Sequence, residues 1–190
     1  MGTLQLPLSV LLCILSGLSI DSLNPETNRK AGRYNNQILF SGLGYLEKCR
    51  TIKDAGFLLK INTVVHMLNQ NEVLSHFIGQ AKPERWKIFK ILPVLGQNSD
   101  DISGLEITDA EFQHFLDINK DLPQGIAIVP ENNDAMTGSY LMIDPAGRLF
   151  DNTKGVYTYG EPILKAGINS ALKGIYQDYG KFIERKGLYV

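Results

Sequence analysis

The chain has 190 residues, 44% of them hydrophobic and 21% charged, with a formal net charge of -1. That suits one domain or part of a larger protein with a sizeable core, and it gives no electrostatic case for nucleic acid or an anionic membrane. Two cysteines, Cys13 and Cys49, and three scattered histidines, His66, His76 and His114, exclude a disulfide framework and a Cys/His zinc site.

Leu6 to Ile20 is apolar and rich in Leu and Ser, like a signal-peptide core, but no Lys or Arg precedes it. Pro7, Ser9, Ser16 and Gly17 interrupt it, and it is too short for a membrane span. The run reads as a buried element, with a strand near Leu15–Asp21. Ser22 to Asn28 is then a loop entering a helix, and Gly32 to Asn36 is a polar interruption. Ile38, Leu39, Leu43, Leu46 and Ile52 recur at helical spacing and predict a helix from Gln37 to Ala55, stopped by Gly56. A strand over Leu58–Val65, a helix near Asn71–Ile78 and a strand over Trp86–Val94 follow, the last with Arg85 just ahead and Pro83 as the break. Strand and helix alternate as in βαβ units of a parallel sheet, and three strands make only an open arc.

Beyond Leu95 the pattern changes. Gly96 to Gly104 is a polar loop. Thr108 and Glu111 form a capping-box signature for a helix carrying Phe112, Phe115, Leu116 and Ile118. Ile126 to Val129 reads as a strand ended by Pro130. Tyr140 to Asp144 reads as a strand that turns at Pro145–Arg148 and pairs back through Leu149 and Phe150, a β-hairpin. Asn152 to Pro162 reads as a loop, and a last helix spans Ile163–Tyr176. These patterns divide the chain into 1–95, built of β/α units, and 96–190, a C-terminal extension.

Side chains alternate between the two faces of a strand. Lys60 therefore shares a face with Asn62, and Arg85 shares one with Lys87. Solvated lysines on an edge strand would be the ordinary explanation. The alternative is that both polar faces point into one cavity that holds an anion.

Ser19-Ile20-Asp21-Ser22, Gly32-Arg33, Lys60-Ile61-Asn62, Arg85-Trp86-Lys87, Val129-Pro130-Glu131 and Ser139-Tyr140-Leu141 come in the order and spacing of the viperin-like radical S-adenosylmethionine nucleotide dehydratase family. The chain resembles that family from about Leu18 onward. The resemblance implies an α/β fold, an incomplete (β/α)6 barrel with a C-terminal extension. It implies a SAM-dependent lyase of antiviral defence that dehydrates a nucleoside triphosphate to its 3′-deoxy-3′,4′-didehydro form. By position, Ser19, Arg33 and Asn62 are similar to the SAM-binding residues, and Lys60, Arg85 and Lys87 to a triphosphate clamp. Glu131 is similar to a further nucleotide-site residue, on a loop after a late strand. Tyr140 resembles the tyrosine that delivers a hydrogen atom. Several Lys and Arg converging on one point suit a triphosphate, which carries roughly four negative charges.

One departure stands out. The family's [4Fe–4S] cluster sits on a Cys-x-x-x-Cys-x-x-Cys loop, because cluster irons need thiolates. Cys13 and Cys49 are 36 residues apart and make no such triplet. The resemblance therefore implies the C-terminal, substrate-binding part of the enzyme. The cluster would be supplied by a missing N-terminal segment, and this polypeptide would not cleave SAM alone. The alternative expectation is a cluster-free relative that binds a nucleotide or SAM. The expected location is the cytoplasm, or the endoplasmic reticulum if the apolar start is a signal or anchor.

Overall fold

The computed structural model describes residues 15–33 and 41–185. Cys13, the apolar start before Leu15, Tyr34–Asn36 of the polar interruption and the first four residues (37–40) of the predicted second helix lie outside the described residues.

The apolar runs form four parallel strands, one more than the three-stranded arc predicted. They are β1 (Leu15–Ser19), β2 (Leu58–Val65), β3 (Arg85–Lys90) and β4 (Ala127–Glu131), in the spatial order β1-β2-β3-β4. Helices α1 (Pro25–Lys30) and α2 (Gly42–Asp54) connect β1 to β2. Helix α3 (Ser75–Ala81) lies between β2 and β3, and α4 (Asp109–Ile118) between β3 and β4. The sheet thus takes three strands from before residue 95 and one from after it.

Alternation decides which face is core. Leu59, Ile61, Thr63 and Val65 on β2, with Trp86 and Ile88 on β3, are all at most 1% exposed. They pack with Leu46, Cys49, Phe77, Ile78, Phe112 and Phe115 from the helices. Burying side chains of this size contributes about 1.5–3 kcal/mol each. Trp86 meets the Phe115 ring edge-on at 6.3 Å, and its indole N–H donates to Thr63 Oγ1 at 2.9 Å. Thr63 Oγ1 in turn donates to the Ile20 carbonyl at 2.8 Å, so the one polar pair in this layer is satisfied.

Several predicted boundaries move, each for a physical reason. The helix expected near Asn71 starts at Ser75. Asn119 Oδ1 accepts the Leu74 and Ser75 N–H groups at 2.6 and 3.0 Å, a cap supplied from 45 residues away. Strand β4 continues through Pro130 to Glu131 instead of stopping there. It is the last strand in the order, so the missing N–H of Pro130 faces no neighbour on that side. Asn132 then caps the short helix α5 (Asn133–Met136), which the sequence reading did not include.

The hairpin forms, but its first strand, β5 (Met142–Ile143), excludes Tyr140, which turns toward the polar face of the large sheet. β5 pairs antiparallel with β6 (Arg148–Asp151), and β6 with β7 (Thr158–Pro162). The stretch Asn152–Pro162 was expected to be a loop. Thr158 to Pro162 is instead a strand because Tyr157 and Tyr159 pack on Phe150 at 4.8 and 5.3 Å, the cross-strand pairing that stabilises sheets.

The single helix expected over Ile163–Tyr176 is two short ones, α6 (Ile163–Ala166) and α7 (Ile168–Ala171). Gly167, at φ 74°, cannot continue a right-handed helix. A further helix, α8 (Tyr179–Glu184), lies beyond the predicted end. The fold is α/β, a four-stranded parallel sheet with a separate three-stranded antiparallel sheet. Among the described residues no helix is long and apolar enough to cross a membrane.

The capping box at α4 is present in both halves. Glu111 N–H donates to Thr108 Oγ1 at 3.2 Å, and Thr108 N–H donates to Glu111 Oε2 at 2.7 Å. Thr108→Ala is expected to cost about 1 kcal/mol of stability, read as a lower midpoint in urea unfolding with an unchanged slope.

Candidate functional site

The other face of the parallel sheet carries the polar set. In the β2–β3 register Lys60 stands beside Arg85 and Asn62 beside Lys87. Aligned residues of neighbouring strands point the same way, so all four share the face opposite Trp86. On β1, Ser19 is in register with Asn62. Gly17 on the same strand leaves room for the Lys60 stem, since an added Cβ would come 3.3 Å from Lys60 Cε.

A cavity of about 410 Å³ opens over this face, lined by Lys60, Asn62, Lys87, Phe89, Tyr140 and Arg185 among others. Asn62 Oδ1 is buried and accepts no hydrogen bond among the described residues. An orphaned acceptor at a cavity wall is unusual, because an unmade buried hydrogen bond costs about 1–3 kcal/mol.

Glu131, the last residue of β4 and not a loop residue, is fully buried behind this cavity. Lys87 Nζ forms an ion pair with Glu131 Oε1, a charge contact rather than an aligned hydrogen bond. Arg185 Nη1 lies 3.8 Å from the same oxygen. The Tyr140 hydroxyl donates to Glu131 Oε2 at 2.5 Å and accepts from Lys87 Nζ at 3.0 Å. The Arg185 guanidinium covers the Tyr140 ring at 3.7 Å and donates to the Ser139 carbonyl at 3.0 Å. One carboxylate thus orients two cations and a phenol. The group is fixed before any ligand arrives, so recruiting it needs little reordering.

A second cavity, of about 380 Å³, adjoins the first through Phe89, which lines both. Asp21, Gly32, Arg33, His66, Lys90 and Met136 are among its walls. Arg33 Nε donates to Asp21 Oδ2 at 2.5 Å, while Asp21 Oδ1 accepts from the Val64 N–H at 2.8 Å. Burial holds the His66 imidazole below its ordinary pKa, with Asp21 opposing that shift and Arg33 adding to it.

Among curated proteins, the chain is 46% identical over 173 residues to an S-adenosylmethionine-dependent nucleotide dehydratase of Lacinutrix mariniflava, a match covering 90% of this chain and 36% of that protein. It is 44% identical over 172 residues to the dehydratase of the same name from Flammeovirga pacifica, covering 90% and 58%. A Danio rerio protein named S-adenosylmethionine-dependent nucleotide dehydratase RSAD2 is 34% identical over 182 residues, covering 91% and 48%.

The chain is a homologue of the viperin-like S-adenosylmethionine-dependent nucleotide dehydratases. It spans about half the length of the curated relatives it matches. No family model matches it.

The dehydratase resemblance draws on residues that the fold distributes over both cavities. Lys60, Asn62, Lys87 and Tyr140 line the first, with Glu131 bonded behind them. Arg85 shares their face by register without being among the lining residues, and Arg33 lines the second cavity. Ser19 lies exposed on β1, in register with Asn62. Arg185 and Gln177 also reach the first cavity and were not read from the sequence. Arg185 ends a helix whose local pattern was not detected, and neither residue sits in a motif.

The two cofactors that the sequence resemblance implies fit unequally. For S-adenosylmethionine the donor set is suitable. Arg33 gives Nε to Asp21 but is half exposed, so its terminal amino groups can take a ligand carboxylate, and Asn62 Oδ1 is an acceptor with no partner among the described residues, close to Ser19 on the next strand. For a [4Fe–4S] cluster the described residues do not fit. Cys49 is the sole cysteine among them, 1% exposed on the core side of α2, and burial raises its thiol pKa, away from the thiolate that iron needs. Nor do the described residues include any group of three or more His, Cys, Asp or Glu able to hold a metal ion.

Proposed function

We propose that the chain is the substrate-binding part of a viperin-like dehydratase and that its ligand is a nucleoside triphosphate. One observation carries this reading. Lys60 and Lys87 line one cavity together with Arg185, and Arg85 stands beside Lys60 on the same face of the two adjacent strands. A phosphate chain gives up strong hydration on binding, and fixed Lys and Arg donors in a partly dry cavity replace it. The open sheet is read as an arc of a (β/α)6 barrel. Residues 1–95 supply β1 to β3, while 96–190 supply β4 and the cover over the cationic face.

S-adenosylmethionine would be held by Ser19, Arg33 and Asn62, and when bound it supplies the group that starts radical chemistry. Tyr140 brings a hydroxyl to the phosphate donors, its oxygen accepting from Lys87 and its O–H donating to Glu131. Dehydration to the 3′-deoxy-3′,4′-didehydro nucleotide and a role in antiviral defence belong to this proposal through the sequence resemblance alone. The burial of Cys49 favours a second reading, a relative that binds nucleotide or SAM without a cluster.

Isothermal titration of the chain with a nucleoside, its diphosphate and its triphosphate tests the binding claim. Affinity should rise with each phosphate and fall as salt is raised, because screening weakens charge pairing. Equal affinity for nucleoside and triphosphate would rule out the phosphate clamp. A stoichiometric cluster found by iron and sulfide analysis of the same preparation would overturn the second reading, whereas an iron-free chain fits both.

A further inference from the structure

The second cavity contains a donor that the site described above does not use. His66 follows β2 directly and is 3% exposed. Its backbone N–H donates to Asn69 Oδ1 at 2.8 Å, and Asn69 Nδ2 donates to the Asp21 and Val64 carbonyls at 2.7 and 2.9 Å. The turn that carries the ring is therefore pinned at both ends. The Leu68 N–H donates to His66 Nδ1 at 3.2 Å. A ring nitrogen that accepts bears no proton, so in the neutral imidazole the proton sits on Nε2. Burial favours that neutral form. Nε2–H is thus a donor of set tautomer and orientation, and among the described residues it has no hydrogen-bond partner.

The surrounding walls restrict the ligand. Val64, Phe89, Ile91, Leu105 and Met136 make them largely apolar. Gly32, at φ 71°, has no atom of the described residues within 4 Å of where a Cβ would sit. The two cations in the lining already have carboxylate partners, Arg33 with Asp21 at 2.5 Å and Lys90 with Asp109 at 2.8 Å. A phosphate here would compete with Asp21 and Asp109 for them. A flat heterocycle would not, and one with a ring-nitrogen acceptor would satisfy His66.

We propose that His66 is a specificity-determining residue whose Nε2–H donates to a ring nitrogen of an adenine seated in this cavity. The choice of adenine over other heterocycles rests on the S-adenosylmethionine reading above. The presence of a base-selective donor rests on the geometry of His66 alone.

Equilibrium binding of S-adenosylhomocysteine and of its 1-deaza, 3-deaza and 7-deaza analogues tests the assignment, with the wild-type chain, His66→Phe and His66→Gln. Nucleoside triphosphate affinity, measured alongside, reports that each variant is folded. Removing the one nitrogen that pairs with His66 should weaken wild-type binding by about tenfold or more, because a site built around a hydrogen bond rejects a ligand that lacks it. His66→Phe should lose a similar factor for S-adenosylhomocysteine and stop distinguishing the analogues. His66→Gln, which keeps an N–H, should retain part of the discrimination. A wild-type chain that binds all the analogues equally overturns the inference and leaves the cofactor reading standing. So does His66→Phe that still discriminates. A wild-type chain that binds triphosphate but no S-adenosylhomocysteine overturns both.

Discussion

Replacing Glu131 with Gln should cost about 3–5 kcal/mol of folding stability, the usual penalty for removing one member of a buried ion pair. Glu131 is fully buried and the Lys87 side chain is 5% exposed, so water cannot take the place of the lost carboxylate. The same change removes the counter-charge that lies 3.8 Å from Arg185 and leaves a single amide oxygen, so accepting from the Tyr140 hydroxyl turns the amide NH2 toward the Lys87 ammonium. Urea unfolding of the variant measures the loss, and a value within about 0.5 kcal/mol of wild type would show that the cluster is not a buried charge network.

Two further measurements bear on the cause. Combining Glu131→Gln with Lys87→Met should recover much of the loss, because an uncharged arrangement of similar volume often matches a buried pair. A bound polyphosphate should also stabilise Glu131→Gln more than it stabilises wild type. In the variant the ligand supplies the negative charge that Glu131 no longer provides, and ligand linkage adds to stability in proportion to that differential affinity. The stability penalty and the enhanced ligand effect should therefore appear together in one thermal-shift series.

How much of this was legible in the sequence depends on the range of the interaction concerned. Period-two alternation put Lys60 and Asn62 on one face and Arg85 and Lys87 on one face, and the β2–β3 register makes those a single face. Strand β2 was readable because six of its eight positions are apolar or β-branched and the run is bounded by Gly56 on one side and a turn on the other. The capping box at Thr108 was readable because both of its halves lie within one turn.

What escaped was long-range or cooperative. The start of α3 is set by Asn119, 45 residues away. Strand β7 exists because Tyr157 and Tyr159 find Phe150, although its Gly and Pro content argues for a loop. Arg185 joins the cationic cavity only because α8 folds back over the sheet, and nothing near it in sequence announces that. His66 looked like one scattered histidine of three. Its significance comes from Leu68 and Asn69 fixing its tautomer and position, which spacing alone does not show.

Lys60→Ala and Arg85→Ala should each weaken triphosphate binding by about 1.5–3 kcal/mol, roughly 10- to 150-fold in Kd. Register is what brings the two cations together. A slip of one residue in β2 would send Lys60 to the Trp86 side and bring Leu59 or Ile61 to the cavity, so the observed pairing alone permits both cations to reach one ligand. Both side chains are only half-buried, so the substitutions should leave urea unfolding close to wild type and act through the ligand. The double variant should lose less than the sum of the two, since residues that share one ligand couple. Replacing the exposed Lys120 with Ala serves as a control for net charge and should change Kd little. Nucleoside affinity should survive all three changes, because the phosphates alone engage the cations. If Lys60→Ala and Arg85→Ala bind triphosphate as tightly as wild type, the cationic face of the sheet is a solvated surface. The phosphate-binding proposal then fails.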